Sequence, residues 1–459
     1  MRWSPSQASS RGCTPATCPA LTSLEIHPPS WPGPPVYTAA EIRPPFENTA
    51  ISPGRHDGRP HAIVVGAGPV GGLSALLLAR RDVRVTLVER GTALTTSSRA
   101  STFHPSTLDL LAPEGIRLDE DPRAVRVSCI QWRDSTGAVR AQLDYRLLEG
   151  MTRHPFRLHL DQQALLDRLA VLLAADPRVD FFPGLSVEAL DPAGPSVTAL
   201  SATGEMVTFG GDIVVGCDGA GSAVRSLAGI AFPTDDYPTG AVRAYVRSVP
   251  EDSLRSVGAP ICALCYFRDG GDGVSLLRMH DETRLVVRTT GAQEDDARIA
   301  EALAAATPWS AGELEIDRVD GYRLQRGVAD SYMPESGRVL VLGDAAHLTS
   351  TAGGLNMNSG IHDAFALMPA VGDWLHGRCR RPVVEEVAAA RRDYLLGSVI
   401  PRSERRVRGV EDPDGDAVSD YLDEISAIAA DPAAARRFLS EDSLLDSPMA
   451  SGGRPVGAR

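Results

Sequence analysis

Lysine is absent from this 459-residue chain: all 46 of its basic residues are arginine. That excludes mechanisms built on an essential lysine, including pyridoxal Schiff bases and the phosphate-gripping lysine of a P-loop. Cysteines are few and odd in number, 7 in all, which argues against the disulfide framework of a secreted protein. Cys262 and Cys265 make one CxxC pair in the apolar, strand-like run ICALCYF, but no second pair follows to complete a zinc site, so both read as structural and no metal is expected. No apolar run approaches the roughly 18 residues of a membrane span. The net charge is −13 and no arginine cluster alternates with aromatics, which speaks against nucleic acid or anionic lipid as a partner. A cytoplasmic location is expected.

What is present is enough for a large core, with 43% hydrophobic residues and a length suited to two or three domains. Residues 1–58 stand apart: proline is dense from Pro28 to Pro45 and hydrophobic periodicity is missing, so a disordered extension without a signal-peptide apolar region is expected.

The first chemical motif begins at Ala62. An apolar strand-like run leads into Gly66-x-Gly68-x-x-Gly71, then a helical apolar run through Leu78, then a second strand from Arg84 that ends at Glu89. A tight turn that lets a pyrophosphate reach backbone amides at a helix start needs glycine, and an acid at the end of the second strand can accept ribose hydroxyls. Strand, glycines, helix, strand and acid together indicate dinucleotide binding. Asp82 stands where glycine would ordinarily end the helix, which predicts a slightly strained turn.

Three ordered segments then narrow the reading. After Glu89-Arg90 come Arg99-Ala100-Ser101 and His104-Pro105-Ser106; DIVVGCDGAGSAVRSLAGI places Asp218-Gly219 after a strand, with Arg225 downstream; and GDAAH follows an apolar strand at 343–347. Over residues 61–375 the chain resembles the FAD-dependent aromatic hydroxylases, the para-hydroxybenzoate hydroxylase-like class A flavoprotein monooxygenases.

The resemblance implies an α/β fold: a discontinuous Rossmann-type FAD-binding domain, an inserted antiparallel-sheet substrate domain and C-terminal helices. It divides the chain into FAD-binding parts at 59–125, 155–230 and 333–375, substrate-domain parts at 126–154 and 231–332, C-terminal helices at 376–446 and a disordered tail at 447–459. It also implies that FAD is contacted by Gly66, Gly68, Pro69, Val70, Gly71, Glu89, Arg90, Arg99, Val187, Asp218, Asp344, Gly354, Leu355, Asn356 and Met357, together with Gln162 or Gln163 at the start of the amphipathic helix LDQQALLDRLAVLLA. Tyr245, Tyr266, Arg278 and His280 lie on strand-like runs that would roof a substrate pocket. The arginine-rich stretch RRDYLLGSVIPRSERRVRGV reads as helical packing at a subunit contact, or as a basic patch for an acidic ligand.

The activity so implied is hydroxylation of an aromatic or similarly electron-rich small molecule. NADH or NADPH reduces FAD, O2 forms a C4a-hydroperoxide, and the chain supplies position, electrostatics and water exclusion. No catalytic side chain is assigned, and either a monomer or a homodimer fits. Two residues depart from the family pattern: Thr351 stands where proline commonly lines the flavin, and Asn356 replaces a glycine. Asn356 either takes positive φ or reaches toward flavin or substrate. A flavin halogenase is disfavoured, since its lysine and WxWxIP motif are missing. A flavoprotein dehydrogenase or epoxidase of the same fold, or a catalytically impaired FAD-binding protein, is the alternative.

Overall fold

The computed structural model describes residues 58–448 apart from 95–99, 238–239, 248, 251–259, 269–272, 290–295, 336 and 412–415. The expected N-terminal extension and Arg99 therefore lie outside the described residues.

Five parallel strands form the first layer, in the order Val339–Val341, Ile213–Gly216, His61–Val65, Arg84–Glu89, Val179–Pro183. These strands are near-continuous apolar runs because both faces of the sheet are covered, one by helices and the other by the three-stranded antiparallel sheet Leu185–Asp191, Ser196–Ser201 and Met206–Gly210, whose Phe209 ring lies 4.8 Å from that of Phe182. The helix Pro69–Ala79 starts with proline in its first turn, where the missing N–H costs nothing, and is buried from Gly71 to Ala79. It packs against the helices Gln163–Ala174 and Leu355–Leu375. Gly72 permits the first of these approaches, since a Cβ there would lie 3.3 Å from Leu169 Cδ1. The apolar face expected on Gln163–Ala174 is buried at Leu165, Leu166, Leu169 and Leu173. Asp82 takes a left-handed conformation, φ +61°, as its place in the turn requires.

A seven-stranded sheet forms the second layer, ordered Ile316–Tyr322, Gly240–Val246, Thr283–Thr289, Val274–Arg278, Leu264–Phe267, Cys129–Arg133, Val139–Asp144. Its last two strands come from the earlier segment. They join in such a way that Leu264–Phe267 runs parallel to Cys129–Arg133, so the sheet expected to be antiparallel is mixed at that seam. One face carries Val242, Val274, Leu276, Leu285 and Phe267, closed by Ile299 and Leu303 of the helix Asp296–Ala306. The opposite face carries Trp132, Leu264 and Tyr266 at one end. There it is covered by Tyr421, Leu422 and Ile425 of Asp416–Ala430 and by Leu439 of Pro432–Asp442.

Cysteine pairing differs from expectation. Cys262 is joined by a disulfide to Cys129, 133 residues away, while Cys265 is a buried thiol on the neighbouring strand. The CxxC spacing is therefore incidental. The expected tail also begins too early: Ser447 is buried, and its Oγ meets His362 Nδ1 at 2.9 Å and Arg391 Nη1 at 2.8 Å. Among the described residues no helix is long and apolar enough to cross a membrane, and no group of three or more His, Cys, Asp or Glu side chains forms a metal site.

Candidate flavin site

The carboxyl ends of four parallel strands converge, which is where open α/β sheets bind ligands. His61–Val65 leads to Gly66, Arg84–Glu89 ends on Glu89, Ile213–Gly216 leads to Asp218, and Val339–Val341 leads to Asp344. Gly66 has φ +95°, and a Cβ there would lie 2.5 Å from the Cys217 carbonyl oxygen. A Cβ on Gly71 would overlap the Gly66 carbonyl. At Gly68 a Cβ would meet nothing within 4 Å, so its backbone faces open space at the start of the helix. Two glycines thus close the turn, and the third leaves room for a ligand.

Glu89 is buried, with Oε2 accepting from Ala67 N–H at 2.7 Å and Oε1 from Gly91 N–H at 2.8 Å. The carboxylate thereby fixes the glycine-rich turn. Each oxygen retains a lone pair that a ribose hydroxyl can use. Arg90, one residue on, is exposed. Pro69 occupies the first turn, and Val70 fills the gap left by two further glycines. A Cβ on Gly343 or Gly360 would come within 2.9 or 2.7 Å of Val70 Cγ2.

The second and third signatures are bolted together. Asp218 accepts from Ser222 Oγ at 2.5 Å and from Val224 N–H at 3.1 Å, which caps the short helix Ala223–Leu227. Arg225 donates to the carbonyls of Ala345 at 2.9 Å and Ala220 at 2.8 Å. Asp344 is half-buried on the turn Gly343–Ala345.

Beyond that turn, Gly353 and Gly354 both have positive φ, +85° and +69°, before the long helix Leu355–Leu375 begins. No side chain caps this helix, so the backbone amides of its first turn are offered at the positive end of its dipole. Leu355 and Met357 are buried beneath the loop. Asn356 fulfils neither of its expected roles. Its φ is not positive, and its side chain turns back on Thr349: Oδ1 accepts from Thr349 N–H at 2.9 Å and from Oγ1 at 2.6 Å, while Nδ2 donates to the Thr349 carbonyl at 3.0 Å. Positive φ falls on the two preceding glycines instead. Thr351 is exposed on the same loop.

Of the two glutamines, Gln162 is buried and its Oε1 accepts from Ala100 N–H at 3.2 Å, whereas Gln163 is held along the helix by Asp167 at 3.0 Å. Val187 is buried in the strand Leu185–Asp191. Tyr245 and Tyr266 are buried in the seven-stranded sheet; Arg278 is half-buried, and His280 is exposed beside Asp281.

Sequence reading missed Asn358 and the role of His104. Asn358 is fully buried, donates to the carbonyls of Thr102 at 2.9 Å and Gly354 at 2.7 Å, and accepts from His104 N–H at 3.0 Å. The His104 ring lies 2.9 Å from the Gly353 carbonyl, and burial, with Arg157 and Arg406 nearby, holds its pKa well below the usual imidazole value. A neutral ring that donates to Gly353 leaves buried Nδ1 as an acceptor without a partner among the described residues. The signal available was an asparagine one turn beyond two glycines at a helix start.

Gly68 open to space, an acid at the end of the second strand and an uncapped helix behind paired positive-φ glycines are what an FAD pyrophosphate, ribose and ring require, so the residues fit that cofactor. Residues 60–395 match the FAD binding domain family, and the chain belongs to that family, that of the FAD-dependent aromatic hydroxylases. It is an FAD-dependent monooxygenase by kinship. The chain is 27% identical over 382 residues to the 6-hydroxy-3-succinoylpyridine 3-monooxygenase of Pseudomonas putida, covering 80% of this chain and 94% of that one. It is 28% identical over 352 residues to the para-nitrophenol 4-monooxygenase of a Pseudomonas species, covering 74% and 84%. The crystal structure of p-nitrophenol 4-monooxygenase from Pseudomonas putida superposes with a TM-score of 0.76 at 23% identity, over 84% of this chain and 98% of that one.

Proposed function

We propose that the protein hydroxylates an electron-rich aromatic small molecule with O2, using FAD reduced by NADH or NADPH. The observation that carries this reading is the uncapped start of Leu355–Leu375 behind Gly353 and Gly354, at the carboxyl edge of the parallel sheet. When bound, FAD supplies the redox and oxygen chemistry; the chain holds it.

In this reading the amides of Gly354, Leu355, Asn356 and Met357 meet the pyrimidine edge of the ring, where a helix start favours negative charge. Asp344 accepts from ribityl hydroxyls, Glu89 from ribose, and the turn Gly66–Gly71 with Pro69 and Val70 receives the pyrophosphate. Gln162, Asp218 and the Val187 backbone border the rest of the cofactor, with Arg90 beside it. The seven-stranded sheet roofs the ring and excludes water. Asn356 is spent on Thr349 and does not intrude on the cofactor, which favours an active enzyme over an impaired binder. A cytoplasmic location and a monomer or homodimer belong to the same proposal.

The test is to purify the protein, measure FAD content, and compare NADH and NADPH consumption with hydroxylated product across a panel of phenols. Stoichiometric product with one donor is expected. Hydrogen peroxide as the sole product across the panel would overturn the reading.

A further inference from the structure

The arginine-rich stretch 391–410 mostly finds partners within the fold: Arg391 with Asp363, Arg392 with the Ala329 carbonyl, Arg402 with Asp446 and Arg405 with Glu424. Arg406 differs in where it lies. It projects from the helix Ile400–Glu411 against the flavin loop, so closely that a Cβ on Gly353 would overlap its guanidinium. Tyr266 of the seven-stranded sheet, Tyr421 and Tyr145 are near enough to act on its charge, and Arg157, which shares Asp442 with it, lies 5.9 Å from the Tyr145 ring centroid. Arg406 therefore links the loop that carries Gly353 to the cluster of tyrosines at the seven-stranded sheet.

Charge in this place is not balanced. Arg157, Arg268 and Arg406 are all more than nine-tenths buried. Asp442, itself buried, takes ion pairs from both Arg157 and Arg406. Arg268 spends Nη1 on the Phe267 and Val274 carbonyls, at 2.8 and 3.1 Å, and its guanidinium lies 5.2 Å from the Tyr266 ring centroid. Glu404, on the same helix as Arg406, is taken up by Tyr237 at 2.6 Å and Arg326 at 3.5 Å. Among the described residues Arg406 Nη1, Arg157 Nε and Arg268 Nε lack hydrogen-bond partners. Two buried guanidiniums, Arg157 and Arg406, share one carboxylate, which leaves a surplus of positive charge, and a buried charge is costly unless something pairs with it.

Resting on the hydroxylase reading above, we infer that the aromatic substrate carries an ionised carboxylate, and that Arg406 is the residue that receives it, with Arg157 and Asp442 positioning the guanidinium and Arg268 adding positive charge. The fork of a guanidinium suits a carboxylate in two parallel hydrogen bonds, and tyrosines and Trp132 supply aromatic walls for the ring. The same surplus could instead balance negative charge on reduced flavin, and the experiment separates the two.

FAD-loaded enzyme is titrated with hydroxylated benzoates, phenylacetates and phenylpropionates and with the matching neutral amides, and dissociation constants are read from the change in flavin absorbance. In the unmodified protein at least one acid is expected to bind about tenfold or more tighter than its amide. Arg406→Gln should abolish that ratio and Arg406→Lys should retain part of it. Equal binding of every acid and its amide, or no binding by either series, overturns the inference, and neither result needs a variant to fold. An unchanged ratio in Arg406→Gln with a lowered flavin midpoint potential also overturns it, assigning the charge to the cofactor. Acid preference without hydroxylation of any probe would leave the inference standing and count against the hydroxylase reading instead.

Discussion

Arg391 Nε donates to Asp363 Oδ1 at 2.9 Å, and both side chains are buried. The other carboxylate oxygen, Oδ2, lies 2.8 Å from His347 Nε2, so one carboxylate fixes both the GDAAH turn and the C-terminal helix Arg381–Tyr394 to the long helix Leu355–Leu375. Burial pushes the Asp363 carboxyl up, but Arg391 and His347 outweigh it and hold it below its usual range. Removing one partner leaves a buried charge unpaired. Arg391→Met should therefore cost about 3–5 kcal/mol in urea unfolding of the apoprotein. A loss under about 1 kcal/mol would mean that Asp363 finds water or another donor.

Buried histidines make a second expectation, about pH. His362 sits between Ser106 Oγ at 3.1 Å and Ser447 Oγ at 2.9 Å, and burial, with Arg391 nearby, lowers its pKa to about 3. Burial also lowers His159, to about 4. In the unfolded chain both titrate near the ordinary imidazole value of 6.5, so between that pH and their folded values the unfolded state binds more protons. Their contribution is full above pH 6.5 and is lost as the pH falls toward 4 for His159 and 3 for His362. Each contributes a slope of up to about 1.4 kcal/mol per pH unit. Unfolding free energy measured from pH 7 to 4.5 should show this fall, and His362→Asn should reduce its slope by about one proton. An unaltered slope would refute the assignment.

What was legible in the sequence divides by distance along the chain. Each signature sits within a single strand, turn and helix, so Gly66 to Gly71, Glu89 and Asp344 were readable from local pattern, and the strands met in parallel as that pattern requires. Pairings set by packing were not readable: Cys129 with Cys262, the parallel seam between Leu264–Phe267 and Cys129–Arg133, and Ser447 anchored to His362. Arg406 shows the limit most clearly. In sequence it is one arginine among several on a basic helix, and its burial against Gly353 depends on where that helix docks.

The glycine-rich turn separates binding from folding. Gly68 has ordinary φ, −72°, and open space at its Cβ position. Gly68→Ala should leave apoprotein stability within about 1 kcal/mol of the original while sharply weakening FAD retention. Gly71→Ala, whose Cβ would overlap the Gly66 carbonyl, should destabilise even the apoprotein, by about 1–3 kcal/mol. Thermal melts of flavin-free protein, followed by FAD titration, decide it; equal melting of the two variants would contradict this division of roles.

Asn356 offers the clearest contrast between family pattern and this chain. Restoring the family glycine would be expected, from pattern alone, to improve the site. Here the side chain makes three hydrogen bonds with Thr349, two accepted by its oxygen and one donated by its nitrogen, which close the loop 349–356 that carries Gly353 and Gly354. Asn356→Gly deletes all three and adds backbone freedom in the first turn of a helix, a loss of about 1–3 kcal/mol. The paired positive-φ glycines then lose their fixed distance from the helix start, so FAD should dissociate faster as well. Melting temperature and the rate of flavin release, read by the recovery of free-flavin fluorescence, test both consequences. A variant that melts higher and holds FAD longer would show that the Thr349 clamp is dispensable and that the glycine serves this loop better.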